Sequence, residues 1–444
     1  MAMKEHEKQL NHFDEKVRES VLIQIAQRLK AGAIKIHPEM DVVNMHCHSF
    51  FSFNGYGYSP SALAWLAKKE GFKAIGIVDF DTLDGVDEFL HACDILNVRG
   101  SAGIETRSYI HEFSDRVINS PGEPGVSYVM GVGFPASFVP VESQPILEDM
   151  QIRAINRNKV IIERVNAFLS PASVDYEGDV VTLTPGGNVT ERHIVQAYVL
   201  SSRKKSSDLV KFWSEKLDLS NDEVINLLQD LPRLQNTIRR KLMKKGGVGY
   251  IEPTGDSFPL LEDVNKLIVS CGAIPSIAWL DGTTQGEMDA EELFSLQIEK
   301  GAAVLNIIPD RNWNIKDEKT KERKLYNLYQ TVEMAKELNL PLNVGTEMNR
   351  YDSPKIDAFD TEELLPLRKD FLDGAAFIYG HTVMQRILGL GYQSGWAKAQ
   401  FPNQRERNLF YMKMGYQIPP GMQGIKVLQN ARCDESPEFY LCLF

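Results

Sequence analysis

Cysteine is scarce, 5 in 444 residues. Cys47, Cys93, Cys271, Cys433 and Cys442 form no C-x-x-C pair and no regular framework. That excludes a disulfide-built scaffold and points to a reduced, cytoplasmic protein. A run of 18 apolar residues is also missing, so no membrane span is expected. Met1 to Gln9 is charged and lacks an apolar core, so no signal peptide is visible. There is no internal repeat and no low-complexity tract. Nor is there a basic excess: 49 Lys and Arg stand against 60 Asp and Glu, a net charge of −11. This balance argues against a nucleic-acid polymer as partner.

What is present is an ordinary globular balance, 43% hydrophobic and 25% charged. The length allows two or three domain-sized pieces, or one large α/β barrel with insertions. The charge is uneven. Residues 191–245 carry 12 Lys/Arg and 7 Asp/Glu, a local +5. That segment is either a solvated helical surface or a face for a phosphate.

Hydrophobic periodicity organises the chain. Residues 11–31 read as a helix stopped at Gly32, followed by a strand, Asp41-Val-Val-Asn-Met45, that runs into His46-Cys47-His48. Ser59-Pro60 opens a helix that Gly71 closes. Strands at 74–78, 100–105 and 128–132 follow, with a helix near 84–97. Helices interrupt the alternation between about 140 and 256, among them 147–169, one opened by the capping-box pattern at Ser220 to Glu223, and 232–245. Strands then return at 273–278, 302–308 and 342–346, with helices at 288–300 and 318–338 between them. The tail reads as a helix near 362–373 followed by Gly- and aromatic-rich loops. Alternating strands and helices predict parallel βαβ units, whose chemistry sits at the carboxyl ends of the strands. His46, His48, Asp79 and Glu105 fall at such ends.

His46-x-His48 is the sharpest local feature. At a strand end the chain turns and both imidazoles can converge, and neutral imidazoles suit Zn, Mn or Fe. The alternative is a polar histidine pair at a barrel mouth. The stretches "NMHCHSFFSFNGYGYSP", "AIGIVDFDTLDG" and "GIETRS", with "GAIPSIAWL" and "LNVGTEMN" further on, resemble the motifs of the PHP (polymerase and histidinol phosphatase) superfamily over about 41–350. There a strand ends in HxH-[ST], a second in T-D-H-D, a third carries G-x-E, and later strands end in His-Pro and G-S-D-x-H. The insertion, with Arg153, Arg157-Asn158 and "ERHIV", is similar to that of the family's small-molecule phosphoesterases.

The resemblance implies a distorted seven-stranded (β/α) TIM-like barrel with an inserted helical subdomain. Its expected parts are an N-terminal helical extension (1–40), barrel (41–140 and 257–358), insertion (141–256) and a C-terminal segment over the barrel (359–444). It also implies departures. Phe80, Tyr128 and Trp279 stand where the family has histidines, Glu347-x-Asn349 replaces Asp-x-His, and Phe53 and Asn54 fall where an acidic residue is expected. The ligands of one metal remain: His46, His48, Glu105 and Glu347. A single divalent ion, Zn or Mn with Fe as a further option, is the expected cofactor. A metal-free hydrogen-bonded remnant and a rebuilt polynuclear site are the other readings.

Around this set, Asp79 either orients a ligand imidazole or caps the helix near 84–97. His381 acts as general base or extra ligand if the C-terminal segment folds over the mouth, and otherwise is structural. His193, Arg153 and Arg157 either approach a substrate phosphate or tie the insertion to the barrel. The five aromatics between Phe50 and Tyr58 wall a pocket or pack under the N-terminal helix. The expected activity is metal-dependent hydrolysis of a small phosphorylated metabolite or nucleotide. The rivals are an amide hydrolase and a catalytically weakened binding protein. The oligomeric state stays open.

Overall fold

The structure, a computed structural model, describes residues 2–254 and 257–444. The expected boundary at 256 lies outside the described residues, as does Met1. Seven strands form one sheet ordered as in the chain: β1 (Met40–Cys47), β2 (Phe72–Phe80), β3 (Arg99–Tyr109), β4 (Val126–Phe134), β5 (Ile274–Trp279), β6 (Val304–Ile307) and β7 (Leu342–Val344). Just beyond β7 the edges meet. Glu347 N–H donates to the His46 carbonyl and His48 N–H to the Glu347 carbonyl, both at 2.8 Å, so the sheet is nearly closed into a barrel. Gly345 permits this approach: a Cβ there would lie 2.5 Å from the His46 nitrogen and 2.3 Å from Asn44 Oδ1.

The sheet is mixed, where the alternation of strands and helices predicted parallel βαβ units. β4 runs antiparallel to both β3 and β5. The reason is legible in the connection: residues 110–125 hold a short turn of helix and the turn-rich "SPGEPG", too little to form the crossover helix a parallel neighbour requires. The amino end of β4, with Tyr128, therefore shares the mouth with the carboxyl ends of the parallel strands.

Helices form where the caps predicted them. Ser59 accepts from Ala62 N–H at the start of Pro60–Glu70, and Gly71 ends that helix at φ 74°. Ser220 and Glu223 form a reciprocal capping box. The helix expected at 288–300 is two pieces, Gln285–Met288 and Ala290–Glu299, because Asp289 caps the second. The long helix Gln144–Leu169 bridges two apolar clusters. Its Met150 lies in the barrel core, while Ile161, Val165 and Leu169 join Tyr198, Trp213 and Ile238 in a second cluster spanning 161–243.

The tail departs most from expectation. It is helical, led by Arg368–Leu388 and Gln404–Gln417. The glycines and aromatics that suggested loops make close helix crossings: a Cβ on Gly380 would lie 2.0 Å from the Tyr411 carbonyl, and one on Gly374 would overlap Leu342. Helix Arg368–Leu388 touches Leu342 at the start of β7, Ser101 near the start of β3 and Gly133 near the end of antiparallel β4. It thus crosses the floor of the barrel, opposite the mouth.

Candidate metal centre

At the end of β1, His46 and His48 are fully buried, with ring centroids 5.4 Å apart. Glu105 reaches them from β3, its Oε2 3.4 Å from His46 Nε2 and 3.0 Å from His48 Nε2. Gly103, the glycine of G-x-E, lets β3 lie against Gly131. Among the described residues, these three are the one group of His, Cys, Asp or Glu whose ligating atoms all lie within 4.8 Å of one another. His46 Nε2, His48 Nε2 and Glu105 Oε2 are each buried without a hydrogen-bond partner. Orphaned buried polar atoms are costly, about 1–3 kcal/mol each.

The protons sharpen the point. Ser52 Oγ has a single hydrogen and lies 2.6 Å from Asp79 Oδ1. Asp79 also accepts from Ser49 N–H (2.7 Å) and Ser49 Oγ (2.6 Å). Three donors mark an ionised carboxylate, so Ser52 gives Asp79 its proton and can only accept from His48 Nδ1, 3.0 Å away. The Nδ1 of His48 then carries the hydrogen, and in the neutral ring Nε2 turns a lone pair toward the Glu105 carboxylate; burial disfavours the charged ring, but Glu105 outweighs it and draws the imidazole pKa up. A proton or a metal ion between these atoms removes the repulsion of facing lone pairs. These donors fit a divalent ion: two neutral imidazoles and a carboxylate, each imidazole anchored through its other nitrogen. Burial disfavours the charge of Glu105, yet the imidazoles outweigh it and hold its carboxyl below the usual range.

The expected fourth ligand is placed otherwise. The backbone of Glu347 brackets both histidines, but its carboxylate meets Arg311 (3.2 Å) and stays outside the cluster. Burial opposes its charge, and Arg311 with the two imidazoles outweighs that and brings its carboxyl down to about 2. Glu347 and Met348 both have positive φ, 63° and 53°. Consecutive non-glycine residues in this region store about 1–3 kcal/mol each.

Asp79 is not the helix cap, and it backs a ligand imidazole only indirectly. The helix Val86–Leu96 has Gly85 as its cap without a side-chain bond, and Asp79 reaches His48 only through Ser52. Phe80 stacks on His48 at 4.8 Å and 16°. Trp279 is fully buried. Aromatic surface thus occupies the positions where the family resemblance places further ligands.

A cavity of about 330 Å³ opens above the cluster, between the barrel mouth and the insertion. Glu105, Asn306 and Glu347 lie on its barrel side, and six arginines line it: Arg107, Arg157, Arg192, Arg239, Arg311 and Arg350. Four have acidic partners: Glu123 (2.7 Å), Glu191 (2.7 Å), Glu347 (3.2 Å) and Asp310 (3.5 Å) for Arg107, Arg239, Arg311 and Arg350. Arg157 and Arg192 pair with no carboxylate among the described residues. Arg157 donates to the Ser257 carbonyl (3.3 Å) and Arg192 to Asn236 (2.7 Å). Phe258 lies between Arg107 and Arg157, 4.7 Å from each guanidinium. Burial, then Arg107, brings Arg157 down to about 10, and burial, then Arg239, does the same to Arg192. Both still carry charge at neutral pH, and an anion in the cavity would relieve them.

The remaining candidates stand elsewhere. Arg153 is held by Asp149 at 2.6 Å and lies outside the cavity lining. His193 is buried behind Thr190, its Nδ1 accepting from Thr190 N–H (3.1 Å) in a capping box, its ring edge-on to Phe53. Burial lowers it to about 3, so it stays neutral. His381 sits in the floor helix, with Nε2 donating to the Gly133 carbonyl (3.1 Å) and Nδ1 accepting from Tyr392 N–H (2.9 Å). Both nitrogens are satisfied and the whole barrel separates it from the mouth. It is therefore no base or ligand for this site. Of the aromatic loop, Phe50 packs under the N-terminal helix against Phe13 and Arg18, while Phe53 meets His193 and Tyr351, and Tyr56 stacks on Tyr58. Sequence reasoning found Arg157 but missed the other five cavity arginines, although the local +5 of 191–245 held two of them. It also missed Asn306, a lone polar residue inside an apolar strand.

Two solved structures are similar to this chain in fold. One is a protein of Bifidobacterium adolescentis provisionally named a metal-dependent phosphoesterase, at 17% identity and TM-score 0.48, covering 75% of this chain and 98% of that one. The other is an amidohydrolase of Chromobacterium violaceum, at 14% identity and TM-score 0.47, covering 74% of this chain and 96% of that one. No family model matches the chain, and no curated protein matches it in sequence. The chemistry of the site therefore rests on its own residues.

Proposed function

We propose that the chain is a metal-dependent hydrolase of small phosphorylated molecules. One observation carries this reading: three buried, partnerless atoms of His46, His48 and Glu105 converge, and Glu105 lines a cavity walled by six arginines. His46, His48 and Glu105 would hold one divalent ion, Zn or Mn by donor type, with Fe as the further candidate. When bound, such an ion polarises the substrate and lowers the pKa of a water toward neutrality. The chain's own residues supply the rest. Among the described residues Arg157 and Arg192 have no acidic partner, and their fixed donor forks suit a phosphate. Glu347 holds Arg311 over the same space, and Asp79 with Ser52 fixes the proton on His48. Five unpaired cysteines suit a reducing cytoplasm, and no described helix is long and apolar enough to cross a membrane.

A second reading, ligand capture without turnover, is favoured by Phe80 lying flat on His48 where another ligand is expected. Phosphate release from a panel of small phosphate esters, with added Zn or Mn, separates the two. Turnover that disappears in His48→Ala supports the hydrolase. Saturable binding of a phosphate ester without release supports capture.

A further inference from the structure

Asn306 and Asn343 are fully buried inside the barrel, directly paired between β6 and β7. Two amides in strands otherwise built of Val, Leu and Ile are costly unless their bonds are made. The bonds they make lead to the metal centre. Asn343 Nδ2 donates to Asn306 Oδ1 at 2.9 Å, and the same oxygen lies 3.2 Å from His46 Nδ1.

We infer that Asn306 and Asn343 are positioning residues that select the tautomer of His46. The inference rests on the proposed metal-binding role of that histidine. An amide can turn either its oxygen or its nitrogen toward an imidazole, and the two choices demand opposite tautomers. In this structure Asn343 donates to the Asn306 oxygen, which leaves Asn306 Nδ2 and Asn343 Oδ1 without hydrogen-bond partners among the described residues. With that oxygen at the fork, His46 donates from Nδ1, and its neutral ring presents an Nε2 lone pair to the cluster. The reverse tautomer would put an N–H on Nε2, 3.4 Å from Glu105 Oε2, and spend the ligand on an internal hydrogen bond. The histidines are thus held by unlike chains. His48 is backed through Ser52 by the charged Asp79, and His46 through Asn306 by a neutral amide. Both chains deliver Nε2 to the same point.

The test is long-range 1H–15N correlation on metal-free, 15N-histidine-labelled protein at alkaline pH, with His46 assigned by loss of its signals in His46→Gln. The wild type should show the Nδ1–H form. Asn306→Leu should move His46 toward Nε2–H and weaken Zn binding roughly 10- to 100-fold. Asn306→Asp, an obligate acceptor, should restore both. Asn343→Leu should give a mixture of tautomers. An Nε2–H form in the wild type, a spectrum that needs no folded variant, would overturn the inference. So would an unchanged tautomer in Asn306→Leu. A wild type with the Nδ1–H form that binds neither Zn nor Mn would leave the inference standing and remove the hydrolase reading instead.

Discussion

The two ends of the barrel bury histidines in opposite ways. At the floor, His381 is enclosed by helix Arg368–Leu388 and both its nitrogens have backbone partners. At the mouth, His46 and His48 are equally buried, but each is satisfied only at Nδ1 while Nε2 is left without a partner beside Glu105. Burial alone therefore does not mark a functional histidine. The floor histidine completes a core, and the mouth histidines leave a bond unmade at one shared point. The same contrast holds for arginine, since Arg153 is tied to Asp149 whereas Arg157, one turn on, faces the cavity with no acidic partner among the described residues.

The strongest way to break the comparison is to disturb the closure behind the mouth. Gly345→Ala forces a Cβ against backbone and Asn44, and should cost about 3 kcal/mol and abolish metal binding. Urea unfolding and metal titration read the two effects. Gly380→Ala, at a floor crossing, should lower stability by a similar amount yet leave the metal affinity of the folded protein intact. Equal loss of affinity in both would dissolve the distinction between the ends.

Acid sensitivity tests the floor itself. Burial lowers His381 to about 4, against about 6.5 in an unfolded chain. Between those values the unfolded state binds the extra proton, so stability rises with pH. The contribution is complete above about pH 6.5 and lost as pH falls toward 4, about 3 kcal/mol in all as an order of magnitude. His381→Gln should flatten the stability profile in that window and leave metal affinity unchanged. Unaltered steepness would show that His381 is not the titrating group.

Smaller effects sharpen the mouth. Replacing Arg157 and Arg192 together by Ala should weaken inorganic phosphate binding about 10- to 100-fold, from the loss of charged hydrogen bonds. Melting temperature should hold, because neither residue is in an ion pair among the described residues. Ser52→Ala, which cuts the link between Asp79 and His48, should lower metal affinity about tenfold. Calorimetric titration with phosphate or Zn measures each, and an unchanged affinity would remove that residue from the proposed site.

Much of the barrel was legible because apolar strand runs and helix caps are local signals. His46 and His48 were legible because they stand at the end of β1, and Glu105, which lies inside β3 rather than at its end, was legible from its G-x-E motif. The cavity arginines were not, since Arg107, Arg192, Arg239, Arg311 and Arg350 come from separate elements that only the fold brings together. Two errors have plain physical causes. Gly374, Gly380 and Gly415 read as loop formers but serve as contact points between helices. The reversal of β4 was not anticipated, although residues 110–125 are turn-rich and hold no crossover helix.

The most direct measurement is metal content by elemental analysis of the purified protein beside His46→Ala/His48→Ala, after incubation of both with Zn or Mn. About one ion per chain, lost in the double variant, is the predicted result. A wild type that takes up no metal, or a double variant that retains it, would contradict a metal centre at His46, His48 and Glu105.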